Sequence, residues 1–246
     1  MRIVKDQFNS EIFQMQMGNV LLEDGEETKK EDFAQLQNLA MTEGYSHMTL
    51  KVPSTDKDVL NLALKDGYIL ADTLIEYVFD MQKAHLPQME HKCTLHDCRA
   101  EELSALKEIA GNSFVIDRFH SDEHLDNKLC DLYYEKWIEN SYHGFAEKVI
   151  VAEYNGEPVG FTTGKTYADD EYGHLVLSAV SNKYRGIGVY TSMIHEGISW
   201  MLREHGDLKG VIVGTQLDNI AVQKAWIKLG FTVYDSMYVL QKYIGD

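Results

Sequence analysis

The sequence predicts an α/β fold, a mixed central sheet flanked by helices, on three observations. Short apolar runs of strand type alternate along the chain with segments whose apolar residues recur every three to four positions. Asn155-Gly156 separates two strand-type runs, which is the strongest short signal for a hairpin. The run 175–180 passes through a short turn holding Arg185, Gly186 and Gly188 directly into an amphipathic segment, so that a strand, a turn and a helix N-terminus follow one another.

In chain order, Phe33, Leu36, Leu39 and Ala40 share a helical face that closes at Gly44, and 48–52 alternates like a strand. Val59, Leu62 and Ala63 mark a second helix, with Gly67 where a left-handed cap belongs, and 68–79 is extended with a turn expected near Asp72. Residues 85–92, polar around Pro87, form the best linker in the chain, so a boundary is expected between a piece 1–86 and a domain 92–246. Beyond it come a short strand at 93–96, a helix over 100–110, and a longer helix over 125–137 with Asp122 or Ser121 as its cap. The hairpin strands 148–154 and 158–166, a strand at 174–180, and a helix carrying Tyr190, Met193, Ile194, Gly197, Ile198 and Met201 on one face follow. A strand at 211–215, a helix over 219–229 closed by Gly230, and a pair of strands over 231–243 end the chain. A shift that carries Gly67 onto Gly230 also carries Val59 onto Val222, Tyr68 onto Phe231 and Asp72 onto Asp235, so the N-terminal piece reads as half of the C-terminal fold.

Composition narrows the function classes. With 44% hydrophobic and 11% aromatic residues in 246, the chain has material for a core. A formal net charge of -16 and no Lys/Arg block argue against a nucleic-acid partner. No apolar run of membrane-spanning length and no signal-type start appear, so no membrane partner and a cytoplasmic location are expected. Cys93, Cys98 and Cys130 lack CxxC spacing, so inert thiols are expected and no metal. The oligomeric state stays open, with a homodimer among the choices.

Chemistry concentrates in VSNKYRGIGVY, 180–190. A helix N-terminus offers an anion several unpaired N–H groups at the positive end of the helix dipole, and glycines let the backbone come close. An ordinary glycine-containing turn would look the same. A second motif decides between them: Asn219, Ala225-Trp226 and Gly230-Phe231 follow about thirty residues later. The two motifs in this order resemble the GNAT superfamily of acyl-coenzyme A-dependent N-acetyltransferases, over the part of the chain from residue 92 onward. The resemblance implies a GNAT fold preceded by a partial GNAT-like half-domain, acetyl-CoA as co-substrate and a small-molecule primary amine as acceptor. It implies pyrophosphate binding by the N–H groups of Arg185, Gly186, Ile187, Gly188, Val189 and Tyr190, with the pantetheine arm beside Ala179 and Val180 and with Asn219 and Trp226 bordering the cofactor.

The stretches 117–144 and 213–219, together with the half-domain, resemble the TDP-fucosamine acetyltransferase type, which acetylates an amino sugar carried on a nucleotide. That likeness implies an acceptor site bordered by Arg118, Phe119, Tyr134, Trp137 and Gln216. An amino acid, polyamine or peptide amine remains the competing acceptor. Two of the departures from the family pattern bear on mechanism. Tyr190 stands where Gly or Ala is usual, and Trp226 stands where many members have a tyrosine that protonates the departing thiolate, a step an indole N–H cannot perform. A catalytically silent acyl-CoA-binding module is therefore the rival reading. If the strand alternates regularly, His174 shares a face with Val180 and lies on the thioester side, where an imidazole could take the proton of the amine; a purely structural His174 is the alternative.

Overall fold

The computed structural model describes residues 1–23, 27–115, 117–168 and 170–245. They fall into two compact units, Met1–Ile75 with Asp235–Asp246, and Glu76–Tyr234. The expected boundary at 85–92 differs from this division, because the end of the chain returns to the first unit and supplies one of its strands.

In the first unit, β1 (Arg2–Lys5) and β2 (Met17–Leu21) enclose the short α1 (Gln7–Phe13), a beginning that carries no periodic signal long enough to be read from sequence. The next elements are α2 (Lys30–Glu43), β3 (His47–Pro53) and α3 (Lys57–Lys65), and they match the sequence pattern. Their termini explain why: Asp56 accepts a hydrogen bond from the Val59 N–H at 3.0 Å, and α2 stops at Gly44 with φ of 79°. β1 is antiparallel to β2, β2 parallel to β3, and β3 antiparallel to the far half of β10 (Thr232–Tyr243), with Met237 opposite Pro53 and Tyr243 opposite His47. Phe33, Leu36, Met48, Leu50, Val52, Val59, Tyr68 and Leu240 pack into its core. β4 (Ile69–Asp80) is continuous through Asp72, and β10 is one strand where two were expected.

The second unit contains β5 (Thr94–Asp97), α4 (Leu103–Gly111), α5 (Asn127–Asn140), β6 (Lys148–Tyr154), β7 (Glu157–Thr166), β8 (Tyr172–Val180), α6 (Val189–Glu204), β9 (Gly210–Gln216) and α7 (Ile220–Leu229). β5, β6, β7 and β8 are joined in antiparallel order, and β8 runs parallel to β9. The hairpin turn is as expected, with Asn155 and Gly156 both at positive φ. The cap of α5 is Asp126, whose side chain accepts from Lys128 N; Asp122 is instead engaged with the N–H of His124. Val180, Val189 and Met193 pack with Ala152 and Val159 on the α6 side of the sheet. Gly67 and Gly230 both sit at left-handed φ, 90° and 98°, just past α3 and α7, so the two copies of the repeat agree at their sharpest point.

Candidate active site

β8 and β9 pair only from Tyr172 to Leu175 against Gly210 to Val213. Among the described residues the pairing goes no further, although both strands continue, to Val180 and Gln216. Two parallel strands that stop pairing leave an opening at their carboxyl ends, and each leads into a helix, α6 and α7. Crevices of that kind bind ligands in open α/β sheets.

The turn from β8 to α6 is braced from outside. Ser181 N donates to Val159 O at 2.8 Å, and Tyr184 N to Ser181 O at 2.9 Å. The Arg185 guanidinium donates to Val180 O through Nε at 3.3 Å and to Ser113 O through Nη2 at 3.1 Å, so this side chain holds the turn in shape. Gly186 and Gly188 take φ of 80° and 94°, values that strain any residue with a Cβ. Gly188 is the N-cap of α6 and brings no side-chain cap. Among the described residues the backbone N–H groups of Gly186, Ile187, Gly188, Val189 and Tyr190 donate to no backbone acceptor outside the helix. The result is the uncapped, glycine-lined helix N-terminus that an anion requires. A cleft of about 440 Å³ borders the same turn, lined in part by Asn112, Ser113, Pro158, Ser181, Asn182 and Tyr184. A larger one, about 640 Å³, lies at 86–90 and His195 and holds none of the expected residues.

Trp226 and Tyr190 meet. The buried indole donates from Nε1 to the Tyr190 hydroxyl at 3.0 Å, and burial pushes that phenol above its ordinary pKa, only partly offset by the indole bond. Asn219 stands at the N-cap position of α7, but its amide donates to Thr215 Oγ1 at 3.0 Å. Gln216 accepts from Thr215 Oγ1 at 3.3 Å and, with Leu217, offers its carbonyl to the buried Gln223 amide. Tyr77 OH donates to Gln223 Oε1 at 3.2 Å. Gln223 thus holds the β9–α7 turn. Its amide on a helix face otherwise apolar was the only sequence signal.

His174 requires a correction. Antiparallel partners share a face, and the register runs Gly160–Val180, Thr162–Ser178, Gly164–Leu175 and Lys165–His174. Between Thr162 and Gly164 β8 holds one more residue than β7, a bulge in which Thr163 Oγ1 accepts the Leu177 N–H at 3.0 Å. The extra residue shifts the alternation. Val180 therefore lies on the α6 side with Gly164 and Leu175, whose neighbours are Trp200 and Gly197, and His174 lies on the opposite side with Lys165. There its Nε2 is 2.7 Å from Asp170 Oδ2, and its ring meets Tyr167 edge-on at 5.2 Å. Burial raises the Asp170 carboxyl, but the bonds from His174 and the Tyr172 N–H outweigh it and leave its pKa lowered. Lys165 lies over the Phe145 ring at 3.8 Å, in the turn that follows α5.

The segment before and within α5 forms a cluster that sequence reasoning saw only in part. His120, its side chain 7% exposed, sits between Asp117 Oδ2 at 2.6 Å and Asp131 Oδ1 at 3.1 Å. The buried Tyr134 stacks on Phe114 at 4.1 Å, with Trp137 6.3 Å away in near-parallel orientation. Burial first, then the charge of Asp117, raises the Tyr134 phenol. Arg118 lies against the Phe119 ring at 4.3 Å. The turn 181–188 reaches this segment's start through Ser113 and Asn112. The thiols match the expectation of inertness: burial, with nearby carboxylates, pushes Cys98 to about 11 and Cys130 to about 12. Among the described residues no helix is long and apolar enough to cross a membrane.

Comparison with known proteins places this geometry. Residues 105–231, just over half of the chain, match the model of the Acetyltransferase (GNAT) family. The spore coat polysaccharide biosynthesis protein SpsD of Bacillus subtilis is 31% identical over 137 residues, which are 56% of this chain and 46% of SpsD. The chain thus spans about half the length of that relative. Among solved structures, a tandem GNAT protein from the clavulanic acid biosynthesis pathway superposes with a TM-score of 0.63 at 17% identity, over 94% of this chain and 76% of its own. A GCN5-related N-acetyltransferase from Sphaerobacter thermophilus gives 0.69 at 12% identity, over 98% and 75%.

Proposed function

Because this chain belongs to the GNAT acetyltransferase family, we propose that it moves an acetyl group from acetyl-CoA to the primary amine of a nucleotide-linked amino sugar. The observation that carries the transfer reading is the parting of β8 from β9 after Leu175 and Val213, with the uncapped start of α6 at its mouth. The N–H groups from Gly186 to Tyr190 and the positive φ of Gly186 and Gly188 suit a pyrophosphate held without side chains. In that placement the thioester arm follows β8 past Ala179 and Val180, and a backbone N–H of β8 near Val180 is assigned to polarise the thioester carbonyl. Acetyl-CoA supplies the activated acyl group, and the protein supplies alignment and an exit for one proton.

His174, on the side of the sheet where Lys165 meets the turn after α5, takes the proton of the amine in this reading. Asp170 orients its ring. Arg118, Tyr134 and Gln216 border the acceptor. The sugar reading is supported by the likeness to SpsD, a protein of spore coat polysaccharide biosynthesis. Trp226, lacking an acidic proton, favours a second reading, a silent acyl-CoA-binding module. Thiol release from acetyl-CoA, measured with TDP- and UDP-amino sugars beside amino acids, polyamines and peptides, separates these. Turnover with the sugars supports the proposal, turnover with the simple amines alone removes the sugar, and no turnover despite bound CoA leaves the silent module.

A further inference from the structure

Away from the β8–β9 opening, three side chains from three different elements converge. We propose that His96, Glu102 and Glu153 form a divalent-cation site that fastens the edge strand β5, with Zn²⁺ as the occupant its chemistry fits best. The imidazole carries the argument. Its Nδ1 lies 3.0 Å from Asp97 O, and a carbonyl only accepts, so Nδ1 bears a proton and Nε2 is the ring nitrogen left to offer a lone pair to a metal ion. That Nε2 is buried and has no hydrogen-bond partner. It points at two further lone-pair donors, Glu102 Oε1 at 3.5 Å and Glu153 Oε2 at 3.6 Å. All three atoms lie within 4.8 Å of one another.

These separations are long for hydrogen bonds and short for unrelated groups. Ligands about 2.1 Å from a tetrahedral Zn²⁺ stand about 3.4 Å apart, close to both His–Glu distances. A nitrogen with two carboxylate oxygens is a donor set that Zn²⁺ accepts, with a fourth position left for water. The local fold holds the set in place. β5 and β6 pair with Thr94 opposite Glu153 and Leu95 opposite Ala152, so His96 and Glu153 are diagonal neighbours, and a bulge falls at Glu153. Glu102 ends the helical turn Ala100–Glu102, and its second oxygen accepts the Arg99 N–H at 2.8 Å, which orients the carboxylate as outer partners do in metal sites. The half-exposed Arg99 guanidinium approaches the same carboxylates only to 3.6 and 3.9 Å. Glu102 is 7% exposed at its side chain, so its charge has little water to screen it. The net charge of -16 further favours a cation.

The test uses the whole chain, stripped with a chelator and dialysed. Calorimetric titration with Zn²⁺ is expected to saturate at one equivalent, Co²⁺ is expected to give the intense visible bands of a tetrahedral site, and Zn²⁺ is expected to raise Tm. His96→Gln and Glu153→Gln are expected to weaken binding by at least about tenfold and to abolish the rise in Tm. Glu153 is about a quarter exposed, so its variant serves if His96→Gln fails to fold. Absence of saturable binding, or equal affinity in the wild type and a folded variant, overturns the proposal; the first result would mean that a proton on Nε2 bridges the glutamates, and the second that other histidines collect the ion. The readouts involve no acetyl transfer, so the outcome is independent of the function proposed above.

Discussion

Replacing Gly188 by aspartate tests the proposed cofactor cradle most directly. Gly188 sits at φ of 94° and caps α6, and a Cβ added there would come 3.1 Å from Lys92 Cγ. The lysine side chain can give way, so the steric part is small, while the left-handed backbone strains any L-residue by about 1–2 kcal/mol. This part acts on the free and the bound protein alike and belongs to stability. The carboxylate acts on binding, because it competes for the free N–H groups of the first turn and repels a phosphate. A hydrogen bond from an N–H to a charged group is worth about 1.5–3 kcal/mol, so losing one of them weakens CoA binding about 10- to 150-fold. Gly188→Ala, which carries the strain without the charge, is expected to change Kd by less than about threefold. Titration calorimetry with CoA on both variants, after circular dichroism shows them folded, provides the measurement. A Kd for Gly188→Asp within threefold of wild type would refute the cradle and place the pyrophosphate elsewhere.

Three further outcomes are expected. His174→Ala lowers kcat by about 10² with little change in the acetyl-CoA KM; an unchanged kcat would make His174 structural. Gly164→Ala places a Cβ 2.2 Å from Trp200 Cζ3, against the face of a ring held in the core, and should destabilise the fold by about 1–3 kcal/mol in urea; a loss below about 0.5 kcal/mol would show that the α6–β7 packing is loose. Glu139 accepts from Lys107 at 2.8 Å and from Lys136 at 2.6 Å, and these bonds hold its carboxyl at about 2 from an ordinary 4.5. Because the folded pKa is the lower, its contribution is complete above about pH 4.5 and disappears as pH falls toward 2; Glu139→Gln should therefore flatten the difference in stability between these pH values, and parallel acid profiles would count against the pairing.

What the sequence by itself determined is whatever depends on neighbours within a few residues. Asn155-Gly156 selects its turn through two positive φ angles, Gly44 and Gly230 end their helices for the same reason, and the run 180–190 presents its helix N-terminus because no capping side chain precedes α6. Two such local features at family spacing were enough to identify the superfamily. Tertiary structure decided what depends on a partner strand. Regular alternation put His174 beside Val180; pairing with β7, and a hydroxyl on Thr163 placed to take the Leu177 N–H, inserted the bulge that separates them. The position of the last strand was likewise invisible from within. The residues 231–243 read as a pair of strands, yet β10 is one strand whose far half completes the sheet of the first unit, because β3 offers it a full antiparallel edge from His47 to Pro53. The convergence of His96, Glu102 and Glu153 follows the same rule: nothing in the spacing 96, 102, 153 announces it, and the β5–β6 register brings His96 to Glu153 while the turn Ala100–Glu102 adds the third side chain.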